Sequence, residues 1–161
     1  MNDNDLNEEI SINQKDIIYS SPKNEYDIII IKLKQEEDYI YYLRLDDKLF
    51  NNNSEKGYES IYILHYPNAT NASVSYGKGI TISNKNIDLE HKCNTLNGSS
   101  GGPILYLLTN KVIGIHKGCF QRNRVVKHNL GTLLKYPLND IKNKSNKNEI
   151  NMEVEIKKKR Y

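Results

Sequence analysis

The stretch CNTLNGSSGGPIL, residues 93–105, sets Gly98, Ser99, Ser100, Gly101 and Gly102 in a row between two β-prone segments. Neither a strand nor a helix favours such a run, because glycine loses more backbone freedom on ordering than any other residue. Two readings compete: a flexible linker, or a built turn. A linker accounts poorly for the residues next in the chain. Pro103 and an apolar segment come at once, and after Thr109 and Asn110 a second apolar run, KVIGIHKG (111–118), begins. That spacing is hairpin-like.

The same rhythm runs outward in both directions. YDIIIIKL (26–33) is long enough for a buried strand and too short for a helix. DYIYYLRL (38–45), SIYILHYP (60–67) and SVSYGKGITIS (73–83) are further strand candidates, the last broken by Gly77 and Gly79, which suggest a bend or bulge. GGPILYLL (101–108), KVIGIHKG and LGTLLKYP (130–137) complete the set, and PLNDIKNK (137–144) opens a short helix with proline at its first position. Many short strands at this spacing predict an all-β sandwich or barrel. No internal repeat is present. In EINMEVEIKKKR (149–160), Ile150, Met152, Val154 and Ile156 alternate with polar residues, so the tail is either a one-faced strand or a solvated extension.

The chain has 161 residues, enough for one domain with a core, although only 37% are hydrophobic. Asparagine occurs 22 times, mostly in runs that read as loops, so the sequons at Asn68 and Asn71 carry little weight. The net charge of +3 is too weak and too scattered to argue for nucleic acid. No apolar stretch approaches the length of a membrane helix. The acidic start MNDNDLNEEI is unlike a secretory or transit peptide, which makes a cytoplasmic location the default expectation. Cys93 and Cys119 do not make a disulfide framework, though they flank the Gly/Ser stretch closely enough for pairing to stay open. No His/Cys set has zinc spacing, so no metal and no cofactor is expected.

Acyl transfer by a serine needs an exposed hydroxyl on a tight turn, with backbone N–H groups beside it to hold a carbonyl oxygen as charge develops. Gly-Ser-Ser-Gly-Gly-Pro meets both needs. NGSSGGPIL followed by VIGIHKG resembles the C-terminal barrel of the trypsin-like serine proteases of the chymotrypsin fold. The resemblance implies an all-β double β-barrel with a short C-terminal helix and a polypeptide substrate. It makes Ser100 the nucleophile and the N–H groups of Gly98 and Ser100 the oxyanion hole. YDIIIIKL resembles the family strand that begins with the triad aspartate, which puts Asp27 in that role, and ILHYPN resembles the family's strand-turn between the two motifs. Ser at position 100 excludes a cysteine-type relative.

The family's general base, a histidine, lies some tens of residues before the aspartate. None precedes Asp27 here; His65, His91, His116 and His128 all come after it. The expectation is therefore a chain with residues 1–50 as the remnant of a truncated N-terminal barrel. A complete C-terminal barrel would span 51–144, with a charged tail over 145–161. Losing the base costs such triads on the order of 10⁶-fold in turnover, or roughly 8 kcal/mol, so this polypeptide alone is expected to be nearly inactive. A fragment of an active enzyme and a non-catalytic pseudoprotease that binds peptides both remain open. An unrelated small β-barrel with a Gly/Ser turn is a third reading.

Specificity is read from the residues beside the loop. Trypsin-type enzymes hold an aspartate six residues before the nucleophile; here stands Asn94. Thr95 and His116 resemble the positions at which the glutamyl-endopeptidase branch contacts a Glu or Gln side chain. A hydroxyl and an imidazole N–H can both donate to a carboxylate or amide oxygen. Ser99 replaces the aspartate that in relatives pairs with a newly cut N-terminus, so activation by that ion pair is not expected. His91 reads as a loop or strand residue, His65 as packed on a strand end and His128 as exposed.

Overall fold

Burial alternates along Ser60–His65: Ile61, Ile63 and His65 point inward while Tyr62 and Leu64 lie between them, half-buried. This period of two makes the segment one stave of a closed six-stranded barrel. The computed structural model describes residues 11–33, 42–50, 58–82, 88–122 and 125–144. In chain order the strands are β1 (Ile17–Ser21), β2 (Ile28–Ile31), β3 (Ser60–His65), β4 (Ser73–Ile82), β5 (Asp88–His91), β6 (Pro103–Tyr106), β7 (Lys111–Arg122) and β8 (Val125–Leu133). The barrel runs β3-β4-β5-β8-β7-β6 and closes through antiparallel pairing of β6 with β3. Closure leaves no edge strand within it. Its interior is filled by Ile61, Ile63, Leu89, Ile104, Ile113 and Leu133, each exposed by 2% or less.

Among the described residues, strands β1 and β2 pair with each other, antiparallel, with a register shift between Ile17 and Tyr19. A helix, α1, spans 135–144 directly after β8. It ties the small sheet to the barrel. Tyr19 donates from its hydroxyl to the Asp140 carboxylate at 3.1 Å, and Tyr26 stacks on Tyr136. The Lys144 ammonium lies over the Tyr19 ring, and Thr132 of β8 donates its hydroxyl to the Tyr26 carbonyl.

An all-β chain with a barrel and one short helix is what the strand rhythm predicts. Three details differ. The candidate strand at 38–45 contributes one isolated parallel bridge, Leu45 to Val112, and its residues 38–41 lie outside the described part. Two strands, β1 and β5, were not legible. Each is short, and β5 reads Asp-Leu-Glu-His, two acids in four residues; only its inward pair, Leu89 and His91, is buried. The helix begins at 135 rather than at Pro137, which sits within the first turn where its missing N–H costs nothing. The bulge expected at Gly77 and Gly79 is present as a register shift between Gly79 and Thr81. The alternating tail at 149–160 lies outside the described residues.

Candidate active site

The Gly/Ser loop joins β5 to β6 and is pinned at both ends. Asn129 of β8 donates its side-chain amide to the Cys93 carbonyl at 2.6 Å, and at the far end Gly101 N–H donates to the His116 carbonyl at 2.8 Å. Close approaches dictate the residue types. Gly98 has φ +85, and a Cβ there would come within 2.9 Å of the Tyr66 carbonyl oxygen. A Cβ on Gly102 would lie 2.7 Å from the Leu64 carbonyl oxygen. The loop is a turn packed on residues 64–69, and only glycine fits at either place.

Two peptide planes in this turn are fixed by their carbonyls. Asn97 C=O accepts from Asn68 N–H at 2.5 Å, and Ser99 C=O accepts from Gly102 N–H at 3.1 Å. A trans peptide points its N–H opposite to its C=O. Holding Asn97 C=O therefore turns Gly98 N–H away from residues 64–69, and holding Ser99 C=O does the same for Ser100 N–H relative to the turn. Neither N–H donates to any acceptor among the described residues. Ser100 itself is exposed, and its hydroxyl makes only a long contact, 3.5 Å, with the Lys117 carbonyl.

Ser100 stands where two clefts meet. One, of about 590 Å³, is walled by Asp27, Ile28, Leu45, His116 and Leu138 as well as Ser100. Asp27, at the entry to β2, is held at φ +54, a conformation that costs a non-glycine residue on the order of 1 kcal/mol. The other, of about 960 Å³, is lined by Asn94, Thr95, Gly98, Ser100, His116 and Cys119 among others. The structure thus brings Asp27, Ser100 and His116 to one cleft, and Thr95, Gly98, Ser100 and His116 to the other.

Behind His116 lies a residue that sequence reasoning read as unremarkable. His91, fully buried at the end of β5, places Nε2 3.2 Å from His116 Nδ1, with the two rings edge to face. Its own Nδ1 has no partner among the described residues. Burial, with the His116 and His128 imidazoles adding to it, pushes His91 down to about 3. Burial also lowers His116, against a contact with the Leu130 backbone that raises it. Both imidazoles are therefore neutral near pH 7. The clue was available: His91 alternates with Leu89 as His65 alternates with Ile63.

The remaining histidines stand away from the Ser100 hydroxyl or face another partner. His65 bonds the Ser99 hydroxyl, Nδ1 to Oγ 2.7 Å. His128 is half-buried rather than exposed, stacked on Phe120 and 3.7 Å from the Glu90 carboxylate. Cys93 and Cys119 are both free thiols; Cys93 is buried, which raises it to about 11, while Cys119 is exposed. Among the described residues no group of three or more His, Cys, Asp or Glu could hold a metal ion.

No curated protein matches the chain. A family does: the trypsin-like peptidase domain matches residues 4–115, more than two thirds of the sequence, a span that takes in Asp27, Thr95 and the whole Gly/Ser loop. With a closed β-barrel bearing that loop, this chain belongs to the trypsin-like peptidase domain family.

Proposed function

We propose that the chain carries the nucleophile side of a serine-type endopeptidase site. Ser100 would attack the peptide carbonyl, and the N–H groups of Gly98 and Ser100 would hold the oxygen that becomes negative. Asp27 would orient a histidine general base. The observation that carries this reading is the pair of N–H groups left without acceptors beside an exposed hydroxyl. Both residues are exposed, so these N–H groups face solvent beside the Ser100 hydroxyl, where a substrate oxygen could replace water as their acceptor. No histidine precedes Asp27, so residues 1–26 do not supply a base in the order the family uses.

Thr95 and His116, in the same cleft as Ser100, would receive a Glu or Gln side chain before the cleaved bond. This aligns the site with the glutamyl-endopeptidase branch. A neutral imidazole can donate one N–H to an amide or carboxylate oxygen, and the threonine hydroxyl can donate a second bond.

A second reading, a peptide-binding pseudoprotease, is favoured by one observation: the Ser100 hydroxyl contacts only the Lys117 carbonyl among the described residues, with no imidazole in hydrogen-bond range. A fluorophosphonate probe separates the two. Extended upstream until a histidine motif is included, the protein is expected to label at Ser100, lose labelling in Ser100→Ala, and slow by several orders of magnitude when reduced to these 161 residues. Absence of Ser100 labelling in the extended protein would leave the peptide-binding role. Peptides ending in Glu or Gln are expected to bind the chain about tenfold more weakly after Thr95→Val or His116→Ala, a loss of about 1.4 kcal/mol; unchanged calorimetric titrations would remove the specificity assignment.

A further inference from the structure

We propose that the buried Ser99–His65 pair is a built-in latch that holds the loop 96–102 in its N–H-presenting form, which makes both residues positioning residues for Gly98 and Ser100. What the loop is for rests on the peptidase reading; that the pair holds it rests on geometry alone.

Ser99 is 1% exposed and His65 6%, and they meet across 34 residues of sequence at 2.7 Å. The Ser99 hydroxyl also accepts Leu96 N–H at 3.1 Å. A hydroxyl has one hydrogen to give and two lone pairs. If His65 Nδ1 carried the proton, the Ser99 hydrogen would be left buried with no acceptor, at the cost of desolvating it. Ser99 Oγ–H therefore donates to a bare Nδ1, and the imidazole proton sits on Nε2. In that state both bonds at Oγ are complete.

The pair acts where the loop's direction is decided. Ser99 lies between the two residues whose N–H groups are free, and anchoring its side chain inward constrains the peptide planes on either side. His65 begins the segment that receives the loop. Three residues on, Asn68 N–H pins Asn97 C=O and with it the direction of Gly98 N–H. The His65 Cβ itself would meet a Cβ on Gly102 at 3.2 Å. The pair thus sits at the centre of the contacts that close the loop against 64–69.

The test reads loop conformation in the full 161-residue chain, labelled with ¹⁵N. In His65→Leu, which leaves the Leu96–Ser99 bond possible, the amide resonances of Gly98 and Ser100 are expected to shift. Hydrogen exchange at Gly102 is expected to rise at least tenfold, while amides at Ile63, Ile104 and Ile113 keep their protection. Ser99→Ala should do the same. Ser99→Thr, which keeps a hydroxyl, and His65→Asn, which offers an oxygen acceptor, should restore the native resonances. Imidazole ¹⁵N spectra should show His65 Nδ1 without a proton. Native Gly98 and Ser100 resonances in both His65→Leu and Ser99→Ala would overturn the latch, as would a change spread evenly over the barrel that the conservative variants fail to reverse. Failure of Ser100 to label with a fluorophosphonate in the protein extended to include a histidine motif overturns the peptidase reading instead and leaves this result standing.

Discussion

The barrel and the small sheet are built from equally apolar strands, yet they bury them very differently. Ile61, Ile63, Ile104 and Ile113 are all within 1% of full burial, whereas in the β1–β2 hairpin Ile17 is 38% exposed, Ile18 53% and Ile29 58%. The barrel closes on itself and excludes water from both ladder and core. Among the described residues the sheet has two strands, and a lone two-stranded sheet is marginal in water. It is held by what it leans on: Asp140, Tyr136 and Lys144 of α1, and Thr132 of β8. The candidate site straddles the two. Ser100 and its loop belong to the robust part, Asp27 to the part held by a few contacts.

The sharpest way to break this contrast is to truncate one isoleucine on each side. Ile104→Ala should cost about 2–5 kcal/mol, as large-to-small changes in a packed core do. Ile29→Ala should cost less than about 0.5 kcal/mol. Urea midpoints compare them, and equal losses would mean that the sheet's exposed face is covered in solution.

Acid should strike the barrel through His91. Its unfolded imidazole takes a proton near pH 6.5, while the folded one resists until about pH 3. Between those values the unfolded state binds more protons, so stability falls as pH falls, by about 1.4 kcal/mol per unit, or about 3 kcal/mol by pH 4. Above pH 6.5 the group contributes nothing, and below pH 3 the loss is complete. His91→Gln is expected to flatten the acid limb of stability against pH by close to one proton; an unchanged slope would place the proton acceptor elsewhere.

A smaller effect than either loss in the barrel is expected at the seam. Tyr19→Phe removes the hydroxyl that reaches Asp140 and should cost about 1 kcal/mol. Its signature is local: faster amide exchange in β1 and β2 with barrel amides unchanged, as in sub-global opening. If barrel amides accelerate equally, sheet and barrel unfold as one unit.

Legibility in the sequence divides along the same line. The Gly/Ser loop and the strands β3, β6 and β7 were readable because short apolar runs bounded by turn signals and obligatory glycines leave few alternatives. Asp27, Thr95, Gly98, Ser100 and His116 fall on two clefts that meet at Ser100. The pairings His65–Ser99 and His91–His116 were not readable, since they join residues 34 and 25 apart through a barrel whose register is set by the whole set of strands. Nor was β5, where two acids masked a strand that is buried on one face only.

The helix after β8 has a mechanical consequence. It emerges from the barrel and then grips the hairpin that carries Asp27, with its last turn resting on Tyr19 through Lys144. Tension applied to the chain at residue 144 would be borne first by that grip. A load too small to unfold a single stave would peel the hairpin away and draw Asp27 off the cleft that Ser100 also lines, so a pull at a distant point would open that cleft while leaving the barrel whole.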